Sequence, residues 1–213
     1  MSDTTIAVFA RAPVAGRTKT RLIPLLGAAD AAQLQMKLTE RAVITACEAR
    51  CGDVMLWCDP SADDPELAAC IARHAIVGAT QCDGDLGLRM QHAARNALAS
   101  SNRVLLIGTD CPALTPQHLI DARNALDCHD AVITPAEDGG YVLLGLKRCP
   151  PEIFSGVNWG SEHVLAQTRD RLATLRWSWH EQPALWDVDR PADFERLVAS
   201  ELMPGIAATR AHV

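Results

Sequence analysis

Residues 103–112 read RVLLIGTDCP, an apolar run that ends in a turn carrying an aspartate. The run Arg103–Gly108 predicts a buried central strand, because aliphatic side chains fill it and turn residues follow it. Asp110 comes directly after the strand. A carboxylate at the end of a buried strand is costly unless a cation or hydrogen bonds neutralise it. This stretch therefore predicts the centre of a sheet and one wall of a ligand site.

Predicted strands and helices alternate on both sides of this run. The other predicted strands are Thr5–Ala10, Asp53–Cys58, Ala75–Ala79, Ala131–Pro135, Tyr141–Leu146 and Leu175–Trp179. The predicted helices run from Asp30 to Arg50, from Pro65, from Asp85 to Ala99, from Thr115, from Ser161 to Ala173 and from Pro191 to Ala199. Asp30, Asp85 and Ser161 are the expected N-caps. The alternation predicts a three-layer α/β/α fold around a mixed, mostly parallel sheet.

Composition limits the function classes. The 213 residues are 48% hydrophobic and 22% charged, which is typical of one ordinary globular domain. We expect that domain over residues 1–199 and a peripheral tail over 200–213. The net charge of −6 argues against a dedicated nucleic-acid binder. No apolar run suits a membrane span or a signal peptide, so we expect no membrane partner and a cytoplasmic location.

Eight cysteines and seven histidines are present. The sequence contains no Cys-x-x-Cys spacing, and we find no histidines at metal-ligand spacing. We therefore interpret the cysteines as reduced, buried, small apolar residues.

The loop after the first predicted strand is basic. It carries four cations in eleven residues: Arg11, Arg17, Lys19 and Arg21. Small residues at Ala10 and Ala12, with Gly16, allow the backbone N–H groups to approach an anion. Neither a Walker A loop nor a Gly-x-Gly-x-x-Gly motif is present. In parallel sheets ligands bind beyond the carboxyl ends of strands, so the position favours phosphate binding over a solvated basic loop.

Acidic residues point to a divalent cation. Asp187 and Asp189 alternate on an extended segment, so they can face one ion together with Asp110. Mg²⁺ typically takes one or two carboxylates plus substrate phosphates. Asp110 could instead cap its turn, and Asp189 could cap the helix that begins at Pro191. A nucleophilic role for Cys111 is disfavoured, because no histidine is placed in sequence to activate it.

Two further loops are candidates for substrate contacts. Asp138, Gly139 and Gly140 lie between two strands, where Asp-Gly is a strong hairpin signal. The alternative interpretation gives Asp138 a role as base or at an acceptor, with the glycines allowing close approach. In the loop before residue 86, Gly84 allows a ligand close to the backbone and Asp85 caps a helix.

Six stretches taken together resemble a known bacterial family of small proteins with the GT-A-like nucleotide-diphospho-sugar transferase fold. Some of its members are labelled glycosyltransferases of arsenosugar biosynthesis. The matching stretches are FARAPVAGRTKTRL (9–22), GDLGLRM (84–90), GTDCPALTP (108–116), DGGYVLLGL (138–146), WGSEHVLAQT (159–168) and DVDRPADFERL (187–197). The first is also similar to the loop of the 2-phospholactate guanylyltransferases, which share its Lys-Thr-Arg-Leu element.

The resemblance implies a site for a nucleotide or nucleotide sugar, with a small-molecule acceptor. The residues that match the family's phosphate loop are Arg11, Gly16, Lys19 and Arg21. The positions that match its acidic Mg²⁺ or Mn²⁺ site are Asp110, Asp187 and Asp189. The candidate catalytic residues are Lys19, Asp110 and Asp138. The oligomeric state stays open and includes a homodimer.

Three functions follow from these expectations. The leading hypothesis is glycosyl transfer from a nucleotide-diphosphate sugar, in which a metal and the basic loop neutralise the leaving group. Asp138 or Glu137 would then take the acceptor's proton. The alternatives are nucleotidyl transfer from an NTP to a phosphorylated small molecule and nucleotide binding without catalysis, since one fold hosts many reactions.

Overall fold

The computed structural model describes residues 3–206, and within them one sheet contains seven strands. The strands are β1 Thr4–Arg11, β2 Asp53–Asp59, β3 Val77–Thr80, β4 Arg103–Gly108, β5 Ala131–Pro135, β6 Tyr141–Leu146 and β7 Trp179–Glu181. Their order across the sheet is β3-β2-β1-β4-β6-β5-β7. Strand β6 is antiparallel to β4 and β5, and the remaining pairs are parallel. The predicted mixed, mostly parallel sheet is confirmed.

Helices cover both faces of this sheet. They are α1 Ile23–Leu26, α2 Ala28–Ala49, α3 Pro65–His74, α4 Leu86–Leu98, α5 Pro116–Ala125, α6 Val164–Thr174 and α7 Pro191–Ala199. Side chains of α2, α3 and α5 pack in one core layer, and those of α4 and α6 pack in the opposite one. The three-layer α/β/α architecture is therefore confirmed.

Alternation along the central strands places side chains in both layers. In β1, Ile6 and Val8 enter the α2 layer, whereas Ala7 enters the α4 layer. In β4, Leu105 enters the α2 layer and Leu106 enters the α4 layer. Successive strand side chains point to opposite faces, so a strand covered on both sides must be apolar throughout. This is why the central strands are readable as unbroken apolar runs.

The last predicted strand is wrong in position. Helix α6 continues to Thr174 with Leu175 as its C-cap, and Arg176 then turns with φ 54°. The strand starts only at Trp179, next to Ala131. The apolar residues of Leu175–Trp179 instead serve the end of a helix and the core beneath it, where Trp177 is buried.

Two of the three predicted caps are also wrong, and one is confirmed. Helix α2 starts after Gly27, which places Asp30 inside its first turn, where a carboxylate favours the positive end of the helix dipole. Helix α6 begins after His163, and Ser161 accepts a hydrogen bond from the His163 N–H in the preceding turn. Asp85 caps α4 as predicted, and Thr115, where a helix was predicted to start, is the N-cap of α5.

The eight cysteines are free thiols, as predicted. Their burial is uneven, because Cys58 and Cys70 are buried whereas Cys128 is exposed. The other five are partly buried, so the interpretation of all eight as buried residues holds fully only for Cys58 and Cys70. None of the helices in residues 3–206 combines the length and apolar character that crossing a bilayer requires.

Strand β1 marks the point where the chain's crossovers change direction. Its neighbours are β2 on one side and β4 on the other, both parallel to it. The loops that follow β1 and β4 start at the same edge of the sheet and run in opposite directions. A crevice opens between them, and ligands bind in such crevices.

A third core cluster connects the loops around this crevice. It joins Leu22, beside the basic loop, to Trp186 and Val188 and to Phe194 of α7. Ile206 is buried in the same cluster, and the rest of the tail, 207–213, lies outside the described residues. Packing therefore fastens the basic loop to the acidic segment 187–189.

Candidate functional site

A cavity of about 770 Å³ opens at the carboxyl edge of β1 and β4. Most of the predicted site residues line it: Ala10, Arg11, Lys19, Arg21, Gly84, Asp110, Asp138, Gly140, Asp187 and Asp189. The basic loop, the turn after β4 and the segment before α7 therefore meet at one cavity, although they are far apart in sequence.

Lys19 connects the basic loop to the acidic residues. Its Nζ lies 2.8 Å from Oδ1 of Asp110 and donates to the Val188 carbonyl at 2.6 Å. The side chain is only 4% exposed, and the backbone is left-handed with φ 48°. A non-glycine residue in that region carries strain that the surrounding packing must hold, which is a frequent feature of ligand sites. An ammonium group has three donors, so one remains for a ligand.

Asp110 is held at the end of β4 by backbone contacts. Its carbonyl accepts from the Val188 N–H at 2.8 Å, and its Oδ1 accepts from the Thr109 hydroxyl at 3.3 Å. Gln35 of α2 donates to that same hydroxyl at 3.0 Å. The carboxylate is thus fixed by the sheet, α2 and segment 187–189, and its side chain stays 49% exposed towards the cavity.

Asp187 lies among other carboxylates. Burial, together with the nearby charges of Asp138 and Asp110, raises the pKa of Asp187 to about 6, against smaller opposing effects of a backbone hydrogen bond and of Lys19. Like charges gathered in a partly buried site are stabilised by a cation. Carboxylate oxygens are the ligands that Mg²⁺ and Mn²⁺ prefer.

Asp110, Asp187 and Asp189 do not form a compact group of ligand atoms. Among residues 3–206 these three carboxylates do not bring their ligand atoms within 4.8 Å of one another. Asp189 instead pairs with Arg21. It is not the cap of α7 either, because Arg190 occupies that position and Asp193 accepts from the N–H groups of Asp189 and Arg190.

The Asp138 turn is a hairpin turn that borders the cavity. It connects the antiparallel pair β5 and β6, and Asp138 Oδ1 accepts from the Gly140 N–H at 2.9 Å. The same carboxylate lines the cavity. Gly139 has φ 92°, and a Cβ there would collide with the Glu162 carbonyl, so this glycine serves the turn.

Two other candidates are poorly suited to chemistry. Burial raises the pKa of the Cys111 thiol to about 12, so it is not a ready nucleophile. Glu137, considered as a base, is held by two hydrogen bonds from Arg196 at 2.7 and 3.1 Å. These bonds lower the pKa of Glu137, which makes its carboxylate a weaker base.

Four predicted site residues lie outside the cavity lining: Ala12, Gly16, Asp85 and Gly139. Ala12 is buried and donates its N–H to the Asp59 carbonyl at 2.7 Å. Gly16 turns the basic loop with φ 80°, and Asp85 accepts from the Leu88 N–H at 2.8 Å. The contacts of these residues therefore fix the backbone of the loops around the cavity.

Comparison with known protein families gives a match over residues 33–161, more than half of the chain. The matching family is described as an uncharacterized protein conserved in bacteria (DUF2064). The chain belongs to the DUF2064 family. Comparison of this DUF2064 protein with curated proteins finds no match.

Solved structures share its fold. A protein from Desulfovibrio desulfuricans G20 assigned as a nucleotide-diphospho-sugar transferase has a TM-score of 0.88 at 29% identity, over 99% of this chain and 94% of that one. CMP:2-keto-3-deoxy-manno-octonic acid synthetase complexed with CTP has a TM-score of 0.60 at 12% identity, over 94% and 100%. Rv0371C from Mycobacterium tuberculosis H37Rv complexed with manganese has a TM-score of 0.53 at 18% identity, over 93% and 100%. The predicted nucleotide-diphospho-sugar transferase fold is confirmed.

Sequence reasoning missed Asp59 and Arg89, which also line the cavity. In this DUF2064 protein, Asp59 at the end of β2 accepts from Arg11 Nε and also pairs with Arg89 of α4, each at 3.2 Å. Gln81, after β3, donates to the carbonyls of Ala10 and Trp57. Asp59 ends a strand just as Asp110 does, so the same rule could have found it. Nothing local in the sequence indicates its pairing with Arg89.

Proposed function

We propose that this protein is a metal-dependent transferase that takes a nucleotide-diphosphate sugar as its donor and passes the sugar to a small-molecule acceptor. The observation that carries the proposal is the contact of Lys19 with Asp110 inside the cavity, beside Asp187. Positive and negative groups arranged around one cleft suit a polyphosphate and its cation. The likeness to the Desulfovibrio desulfuricans protein supports the sugar donor.

Asp110 and Asp187 are the residues we propose as metal ligands. Their oxygens suit Mg²⁺ or Mn²⁺, and the charge repulsion that raises the pKa of Asp187 is the kind that a bound cation relieves. Asp189 keeps Arg21 in place rather than acting as a direct ligand. A divalent cation bound there would neutralise the charge that develops on the diphosphate leaving group.

The side chains of the protein supply the rest of the site. Lys19 has one free donor, and Arg17 and Arg21 also line the cavity, so all three can donate to phosphate oxygens. The core cluster beneath Leu22 and Val188 holds these donors in position before the ligand arrives. Asp138 lies close enough to Asp187 to raise its pKa, and we propose that it accepts the proton of the attacking hydroxyl.

Nucleotidyl transfer is the second candidate. Four cations in the basic loop suit a triphosphate, and the fold is shared with a synthetase that was solved with CTP. In that reaction a phosphate-bearing substrate attacks the α-phosphorus, and pyrophosphate leaves. The same Lys19 and carboxylates would serve, because this chemistry also rests on positioning and charge neutralisation.

Product identification separates the two reactions. The purified protein is incubated with Mn²⁺ and either a panel of nucleotide sugars with candidate acceptors or NTPs with sugar phosphates. We expect a nucleoside diphosphate from a nucleotide sugar. Pyrophosphate from an NTP would establish nucleotidyl transfer instead. Release of neither product, with nucleotide bound and recovered intact, would contradict both reactions and leave a binding protein.

A further inference from the structure

A second group of metal-type side chains lies between α2 and α3, away from the cavity. Glu40 of α2 and Cys70 and His74 of α3 bring one ligand atom each within 4.8 Å of one another. Among the described residues 3–206, no other group of three or more His, Cys, Asp or Glu side chains brings its ligand atoms this close together. Cys70 and His74 are four residues apart, so they lie on the same face of their helix. None of the three lines the nucleotide cavity.

The contacts within this group engage both carboxylate oxygens of Glu40. Arg73 Nη1 holds Oε2 of Glu40 at 2.8 Å, whereas Oε1 faces His74 Nε2 at 2.5 Å. The Cys70 thiol also hydrogen-bonds to Glu40. A thiol, an imidazole nitrogen and a carboxylate oxygen therefore lie close together, with the carboxylate already hydrogen-bonded to its neighbours.

Burial also suits a bound ion with one open position. Cys70 is fully buried, while the side chains of Glu40 and His74 are 22% and 18% exposed. The group thus has an apolar floor at Cys70 and a partly open side, where a water can complete the coordination. A free thiol used for packing alone has no need of a carboxylate and an imidazole at its sulfur.

We propose that Glu40, Cys70 and His74 form a Zn²⁺ site that ties α2 to α3. Zinc accepts one thiolate, one imidazole and one carboxylate at bond lengths of about 2.0–2.3 Å, with water as the fourth ligand. On binding, Cys70 releases its proton to solvent and His74 binds as the neutral imidazole. Glu40 Oε1 exchanges its contact with His74 for the ion, and Arg73 continues to hold Oε2.

The geometry requires a small adjustment. Two ligands of a tetrahedral ion lie roughly 3.3 Å apart, so Oε1 and Nε2 must separate from their present 2.5 Å. Both side chains are partly exposed, so neither is enclosed on every side by the core. The site stands independently of the proposed transferase function, because it shares no residue with the cavity.

Cobalt spectroscopy of the full chain tests this site. The protein is reduced, freed of metal and titrated with Co²⁺, which takes zinc-type positions and shows a near-ultraviolet charge-transfer band only when a thiolate binds it. We expect this band to saturate at one ion per chain and to disappear when Zn²⁺ is added. Binding at Asp110 and Asp187 through oxygen alone gives no such band, and loss of the band in the Cys70→Ser variant separates this site from the cavity, which Cys111 also lines.

Matched variants assign the band to its ligands. Cys70→Ser is expected to abolish it, His74→Gln to weaken Co²⁺ binding at least tenfold, and Cys128→Ser, at an exposed thiol, to leave it unchanged. Circular dichroism confirms that each variant is folded, and His74→Gln keeps the test valid if the serine variant does not fold. Absence of the band in the unmodified chain, or its survival in folded Cys70→Ser, would overturn the proposal.

Discussion

Asp110→Asn is expected to lower kcat/KM for the nucleotide substrate roughly 100- to 1000-fold, the loss typical of removing one preorganised group that stabilises developing charge. The substitution keeps the size of the side chain and its contact with the Thr109 hydroxyl. It removes the negative charge that faces Lys19 and that we propose as a metal ligand. Initial rates measured across a range of Mn²⁺ concentrations report both the loss of rate and a weaker response to metal.

A carboxylate elsewhere on the surface provides the control. Asp121 lies exposed on α5, where it accepts a hydrogen bond from Gln117, and it does not line the cavity. Asp121→Asn should therefore leave rate and metal dependence unchanged. If Asp110→Asn keeps the metal response of the unmodified protein, Asp110 is not a metal ligand.

Lys19→Met is expected to reduce kcat/KM about 100-fold, with much of the loss in nucleotide affinity. The methionine keeps the length and packing of the buried side chain but removes the donor to Asp110 and to the Val188 carbonyl. Lys19→Arg should not restore activity, because a branched guanidinium does not replace a compact ammonium group in a space only 4% exposed. Steady-state kinetics and calorimetry with the same nucleotide separate catalysis from binding.

The comparison variant is Lys147→Met, a lysine that follows β6 at the opposite edge of the sheet. It should bind nucleotide with unchanged affinity. Equal affinity of Lys19→Met and the unmodified protein would show that the basic loop does not hold phosphate through this lysine.

Much of the fold is readable from the sequence for a physical reason. Strands covered on both faces have to be apolar throughout, so β4, β5 and β6 were predicted with the bounds that the structure shows. The edge strand β7 lacks this requirement, and its prediction was displaced by apolar residues that belong to the end of α6. Local propensity could not distinguish these two uses of the same residues.

The site was predictable only in part. The strand-end rule selected the basic loop and Asp110, and alternation along an extended segment selected Asp187; all three meet at one cavity. The bond from Lys19 to Val188 joins positions 169 residues apart, and the Glu40 contact with His74 joins residues 34 apart on two helices. Such pairs form only when distant segments pack together in the fold, so the spacing of residues along the sequence cannot predict them.

The most direct measurement is the melting temperature of the unmodified protein with nucleotide sugars and NTPs, each with and without Mn²⁺ or Mg²⁺. A ligand that binds only the folded state stabilises it by about 2.7 kcal/mol at a hundredfold excess over its dissociation constant. We predict a clear rise in melting temperature with at least one nucleotide, and a larger rise when the metal is present. No change with any nucleotide in the presence of either metal would contradict the account.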